Sequence, residues 1–276
     1  MMAGVWFIKT LGLRMRLADR CVAVAPSFLD ARLDALYQRD ARGRLLFANQ
    51  WDAGDAPRFH LLAGVNGCVR GYGAQVPDEI VAAIEQRFRV AELALGKPSK
   101  SAWLAREPTL VRDCAALLDT QQRIASRWSG PVYRFPKEFS SPTPRPGLFP
   151  GHRHPRVAQL GVTDGRVVRD AMPDWVPDVA HRQPFFAMLE PGDRGARAVS
   201  VCASVRIHEA MHEAGIETLP SAQRRGYALA TTAAWAAAVR DQGAEPIYST
   251  SWHNAASLRV AARLGLEQFG VDYWVY

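Results

Sequence analysis

The sequence predicts a mixed α/β (α+β) protein in two parts, and three stretches carry that expectation. Over residues 199–207, Val199, Val201, Ala203, Val205 and Ile207 alternate with Ser200, Cys202, Ser204 and Arg206, the period of a strand. Residues 221–243 run from Ser221, a residue able to cap, through an alanine-rich helix to about Arg240 and a terminating Gly243. Residues 137–155 (KEFSSPTPRPGLFPGHRHP) hold five prolines and two glycines and read as a connector. The expected division is therefore an N-terminal α/β part at 1–140, a connector at 141–155 and a C-terminal part at 156–276.

In chain order, residues 27–38 space Phe28, Leu29, Leu33, Leu36 and Tyr37 along one helix face, and 43–50 read as a strand. Residues 58–74 read as a hairpin, because Asn66-Gly67 is a favoured type I′ turn pair between apolar arms. Pro77-Asp78 opens a helix bearing Ile80, Val81, Ile84 and Phe88, and a second helix is expected over 109–126. A short strand follows at 129–136. The C-terminal part begins with two strands joined by a Gly/Pro/Asp-rich turn, then a short strand at 214–220 stopped by Pro220.

Hydrophobic residues make up 48% and charged residues 22% of 276, an ordinary balance for a soluble globular protein with a sizeable core. The net charge of +7 is mostly N-terminal: residues 1–140 carry 20 basic against 14 acidic side chains, and 141–276 carry 14 against 13. No Lys/Arg run with interleaved aromatics accompanies it, so nucleic acid is not an expected partner. Lys9, Arg14 and Arg16 interrupt the apolar N-terminus below signal-peptide or membrane-span length, which predicts a cytoplasmic protein with no membrane partner. Cys21, Cys68, Cys114 and Cys202 are scattered without a C-x-x-C pair, so neither a disulfide framework nor a cysteine zinc site is expected.

Two segments carry chemistry. HEAMHEAG, 208–215, places His208, Glu209 and His212 in the H-E-x-x-H order of zinc proteases. That motif needs a helix to bring both imidazoles to one face, whereas here it falls at a turn between two strands. The metzincin third-ligand position is Thr218, so no metal is expected, and a zinc hydrolase is kept only as a minor alternative. His152 and His154 in the connector make no metal site by themselves. The second segment follows Pro220. A strand stopped by proline and a glycine-containing turn opening a helix gather free backbone N–H groups at a positive dipole end, suited to a phosphate or pyrophosphate. Gly226 and Ala228 leave room for close approach, and Arg224 and Arg225 add charge. The segment alone equally allows a plain helix start with small residues for sheet packing.

Gln223-x-x-Gly226-x-Ala228 resembles the acyl-CoA pyrophosphate loop of the GNAT superfamily of N-acetyltransferases. PIYSTSWHNAASLRVAARLGLEQFG, 246–270, is similar to that family's next strand and helix, with Asn254 as cap and Gly265-Leu266 at the helix end. The resemblance covers about 185–276 well and 156–184 loosely. It implies a mixed, mostly antiparallel sheet with two splayed parallel strands, here 214–220 and 246–252. Residues 1–140 are left as a degenerate second copy of the fold or a family-specific cap.

The resemblance further implies acetyl-CoA as co-substrate, held by Thr218, Leu219, Gln223, Arg224, Arg225, Gly226, Tyr227, Ala228, Asn254 and Ser257. A backbone N–H near Ile216–Leu219 would meet the thioester carbonyl. Glu217 is the first candidate for general base, with His212 and Glu213 beside it. Where many members carry a proton-donating tyrosine this chain has Ala261, leaving His253, Ser251, Tyr248 or water. Arg259 and Arg263 share a helix face that could meet CoA phosphates or simply face solvent. Trp235 is expected in the core, with Trp252 open to either role. The implied activity is N-acetylation of a small-molecule or peptide amine; a non-catalytic acyl-CoA-binding module is the alternative. C-terminal edge strands suggest a homodimer.

Overall fold

The computed structural model describes residues 24–65, 67–95, 108–139, 155–192 and 195–276. The basic N-terminus, Cys21, the Asn66 turn position, His152, His154 and nearly all of the connector lie outside them.

Among the described residues, nine of eleven strands form one sheet. In chain order the elements are α1 (Pro26–Leu36), β1 (Tyr37–Arg39), β2 (Leu45–Ala48), β3 (Phe59–Gly64), β4 (Cys68–Tyr72), α2 (Asp78–Leu95), α3 (Thr109–Gln121) and β5 (Arg127–Arg134). After the connector come β6 (Arg156–Leu160), α4 (Arg166–Arg169), two 3-10 turns (Pro173–Trp175 and Pro177–Ala180), β7 (Phe185–Gly192), β8 (Gly195–His208) and β9 (Met211–Thr218). A third 3-10 turn (Pro220–Ala222), α5 (Tyr227–Asp241), β10 (Glu245–Ser249), α6 (Ala255–Arg263) and β11 (Glu267–Val275) complete the chain. The sheet order is β4-β3-β11-β5-β10-β9-β8-β7-β6, in which, among the described residues, only β9 and β10 pair in parallel.

The order reveals an exchange between the two parts of the chain. β5, the last strand before the connector, sits between β10 and β11; β11, the last strand of all, sits between β5 and β3. The division at the connector is thus one of sequence, while the sheet is continuous across it. β11 is also interior, so the expected C-terminal edge does not exist; the sheet ends at β4 and β6.

Alternating side chains send one set of each strand toward α2, α3, α5 and α6, and the other toward α1, α4 and the first two 3-10 turns. Under α5 and α6 lie Tyr133, Cys202, Trp235, Tyr248, Leu258 and Ala261, and under α2 and α3 lie Phe59, Ile84, Phe88, Leu118 and Tyr273. The opposite face packs Leu29, Leu62, Val132, Met211 and Phe269 beneath α1, and Leu160, Val168, Trp175, Phe185 and Val201 beneath α4 and the turns. Trp235 is fully buried, as expected, and its indole donates to Ser204 Oγ at 2.9 Å.

Three element expectations are corrected. The alternation over 199–207 is broken twice by bulges, against β7 and against β9, each of which flips the parity of the side chains after it. Val199 therefore packs against Tyr227 and Ala230 of α5 while Val201 packs on the other face. The helix expected to 126 stops at Gln121, because the chain turns there to enter β5. Ser221 lies in a 3-10 turn and caps nothing; the N-cap of α5 is Gly226. Among the described residues, no helix is long and apolar enough to cross a membrane.

Candidate functional site

The site forms where the parallel pair comes apart. β9 and β10 are paired only over Met211–Glu213 with Glu245–Ile247. From there β9 stays with β8 through Thr218, while β10 follows β5. Beyond its last strand residue, Thr250 N–H still donates to Pro131 O at 3.2 Å. Gly130 permits this: a Cβ there would stand 1.8 Å from the Thr250 carbonyl oxygen. The fork therefore opens because each strand has a different partner, and one partner comes from the first part of the chain. Backbone N–H groups alternate in direction along a strand. Leu219 N–H is bonded to Val199 O at 3.0 Å, so those of Thr218 and Ile216 point to the open side. The Leu219 amide is thus engaged by β8 and does not face the open side.

Opposite the fork, the chain bends sharply into α5. Arg224 and Gly226 adopt left-handed φ of 64° and 82°, and among the described residues no side chain caps the helix. The first helical bond runs from Ala230 N–H to Gly226 O at 3.1 Å, which leaves the amides of Tyr227, Ala228 and Leu229 without an intrahelical acceptor. A side chain at 226 would meet nothing within 4 Å, so the glycine serves the backbone conformation and leaves open space before the amides. The loop is anchored to β7: Arg225 pairs with Glu190 at 3.1 Å and the Tyr227 hydroxyl donates to it at 2.9 Å. Arg225 is thus engaged by Glu190 and does not line the cleft as expected.

Loop and fork share a cleft of about 450 Å³. It brings together Ile216, Thr218, Gln223, Arg224, Gly226, Tyr227, Ala228, Asn254, Ser257, Arg259 and Arg263. Thr218 Oγ1 is held by Ser200 Oγ at 2.7 Å, and Asn254 caps α6 by accepting from Ser257 N–H at 3.0 Å. The expected tyrosine position, Ala261, is fully buried. Tyr248 of β10 lines the cleft, its hydroxyl donating to Ser257 O at 3.1 Å and sharing a hydrogen bond with Ser257 Oγ. Burial pushes the Tyr248 hydroxyl up, so it holds its proton more tightly than an exposed tyrosine does. Ser251 and His253 stand apart, in a separate hollow of about 270 Å³ beside Trp128 and Trp274. Trp252 packs partly buried against the core of the first part.

The three base candidates part company. His212 points to the α5 side, buried, with Nδ1 on Ser204 Oγ at 2.9 Å, and burial lowers its pKa. Glu213 lies on the opposite face and is also buried. It accepts from Arg32 Nη2 at 2.9 Å and from Ser249 Oγ. The same Arg32 Nη2 reaches Asp272 Oδ2 at 2.9 Å, and His60 Nε2 meets the other oxygen at 2.9 Å. Glu213 is thus locked at the root of the fork. Glu217, four residues on, is exposed and accepts from Trp175 Nε1 at 2.6 Å.

In the H-E-x-x-H segment, His208 opposes Met211 and Ile207 opposes His212 across the turn. Residues 211 and 212 point to opposite faces, so the two imidazoles do as well, and the motif's chelating geometry is absent. Among the described residues, no group of three His, Cys, Asp or Glu is placed to hold a metal ion. A larger hollow of about 1170 Å³ lies at the far sheet edge between β6, α4 and β7, with Arg156, Arg166, Arg169 and Arg197 at its rim, and contains no fork residue.

Residues 193–276, which hold the fork, the loop and both flanking helices, match the family model of the GNAT acetyltransferases. This C-terminal region belongs to the GNAT family. The GNAT match begins at the β7–β8 turn and excludes β5, although β5 walls the fork. No curated protein matches the chain. Solved structures similar to it include a GCN5-related N-acetyltransferase-like protein from Streptococcus suis, 15% identical, covering 80% of this chain and 85% of that one (TM-score 0.45). A GCN5-related N-acetyltransferase from Kribbella flavida is 17% identical over 92% and 96% (TM-score 0.45). A tandem GNAT protein from the clavulanic acid biosynthesis pathway is 13% identical over 98% and 95% (TM-score 0.45).

Proposed function

We propose that the chain is an acetyl-CoA-dependent N-acetyltransferase acting on the amine of a small molecule or peptide. The observation that carries this reading is the conjunction of uncapped amides at Tyr227–Leu229 with a strand fork opening into the same cleft. The amides suit the CoA pyrophosphate, and Arg224, Arg259 and Arg263 surround it with positive charge. The inward-facing amides of Ile216 and Thr218 suit the thioester carbonyl, where negative charge develops during acyl transfer.

Glu217, on the face opposite α5, takes the proton from the acceptor amine as its nitrogen bonds to the acetyl carbon. The C–S bond then breaks, and Tyr248, on the cofactor side, returns a proton to the CoA thiolate. Tyr248 thereby takes the role that Ala261 cannot fill. The buried alanine at 261 favours a second reading, acyl-CoA binding without transfer. Glu217→Gln separates the two: about a 100-fold or greater loss of thiol release, with acetyl-CoA affinity retained, is expected for the enzyme. Failure of the unmodified chain to release thiol with any of a broad amine panel would leave only the binding module.

A further inference from the structure

Resting on that transferase reading, we infer that Trp175 is a positioning residue for Glu217, aiming its carboxylate at the acceptor amine. The indole comes from a 3-10 turn outside the residues of the GNAT match, and it is held on every side. It is 8% exposed, meets the Phe185 ring edge-to-face at 5.6 Å, and lies 5.7 Å below the Arg182 guanidinium. Arg182 is fixed by Asp178 at 2.9 Å, and Asp178 accepts from the Trp51 indole at 2.6 Å, so the first part of the chain closes the set.

Gly215 gives the indole its place. A Cβ at 215 would lie 3.2 Å from Trp175 Cη2 and 2.1 Å from a Val205 methyl. β9 therefore presents Glu213, bare backbone and Glu217 in succession on this face, with Trp175 seated over the gap. The Nε1–H donates to Glu217 Oε2 at 2.6 Å, fixing one carboxylate oxygen of an otherwise exposed side chain, while Oε1, without a hydrogen-bond partner among the described residues, is left to receive the proton. No proton passes through the indole, which keeps its N–H throughout; it acts only by removing rotamers of Glu217.

The test is a double-mutant cycle on the full chain with acetyl-CoA and the primary amine it acetylates fastest. Trp175→Phe keeps the ring and removes the donor. Loss of that aim, like other misplacements on the order of an ångström, predicts about a 10- to 100-fold fall in kcat, with the Kd for acetyl-CoA within about twofold of the original. In a Glu217→Gln background the same change is expected to alter kcat by less than about twofold, since its target is gone. A purely structural tryptophan would instead lower kcat by the same factor in both backgrounds, and that result overturns the inference. So does a Trp175→Phe chain as active as the original. Absence of transfer by the unmodified chain overturns the transferase reading, and this inference with it.

Discussion

Replacing Arg32 with methionine is expected to lower the unfolding free energy by about 3–5 kcal/mol, because removing one partner of a buried ion pair strands the other. Here two partners are stranded. Arg32 is fully buried and its Nη2 bonds both Glu213 and Asp272 at 2.9 Å. Methionine fills much of the volume but leaves two carboxylates without their shared counter-charge. His60 on Asp272 and Ser249 on Glu213 offset part of the loss. At the few degrees per kcal/mol usual for a chain of this size, the melting temperature falls by roughly 6–20 °C. A fall of under about 2 °C would show that the cluster contributes little.

The cluster also sets an acid limit. Burial alone would raise the Asp272 carboxyl, but the Arg32 guanidinium and His60 outweigh it and hold it below the usual range. The resulting stabilisation is complete above the unfolded carboxylate value, about 3.9, and is lost as pH falls below it.

The second large effect is on activity. Gly130→Ala is expected to lower kcat/KM about 100-fold. The new methyl would stand 1.8 Å from the Thr250 carbonyl oxygen, so the end of β10 has to retreat from β5 by about 1 Å or more, a misplacement that costs on this order in rate. The accompanying stability cost of about 1–3 kcal/mol is the usual one for overpacking and leaves the chain folded. Turnover within about threefold of the original would mean that the fork does not depend on this contact.

Both substitutions lie where the sequence was least legible. Local signals sufficed for the alanine-rich helix, the strands around it, the glycine-containing turn before it and the Asn254 cap, because each is decided by residues within one or two turns. Strand partnership is not local. Arg127–Arg134 reads as a short strand, but nothing in RWSGPVYR says that it lies between strands from the other end of the chain. Arg32 is separated from Glu213 by 181 residues and from Asp272 by 240. The one visible trace was Asp272 itself, a carboxylate inside the apolar run VDYWVY, since a charge in a buried strand requires a partner. Trp175 gave no trace, because a tryptophan in a proline-rich turn reads as packing. Ser221 misled for the opposite reason: its residue type suits a cap, but the chain needs four more residues to turn into the helix.

The most direct measurement is a calorimetric titration of acetyl-CoA into the full chain and its Gly226→Val variant. A β-branched residue is strained at a φ of 82°, so the loop that presents the amides of Tyr227–Leu229 is lost while the open space before it remains. Saturable one-to-one binding by the original chain, weakened about tenfold or more in the variant, is the expected result. No heat of binding from the original chain, or equal affinity in both, would contradict the claim that these main-chain groups hold the cofactor.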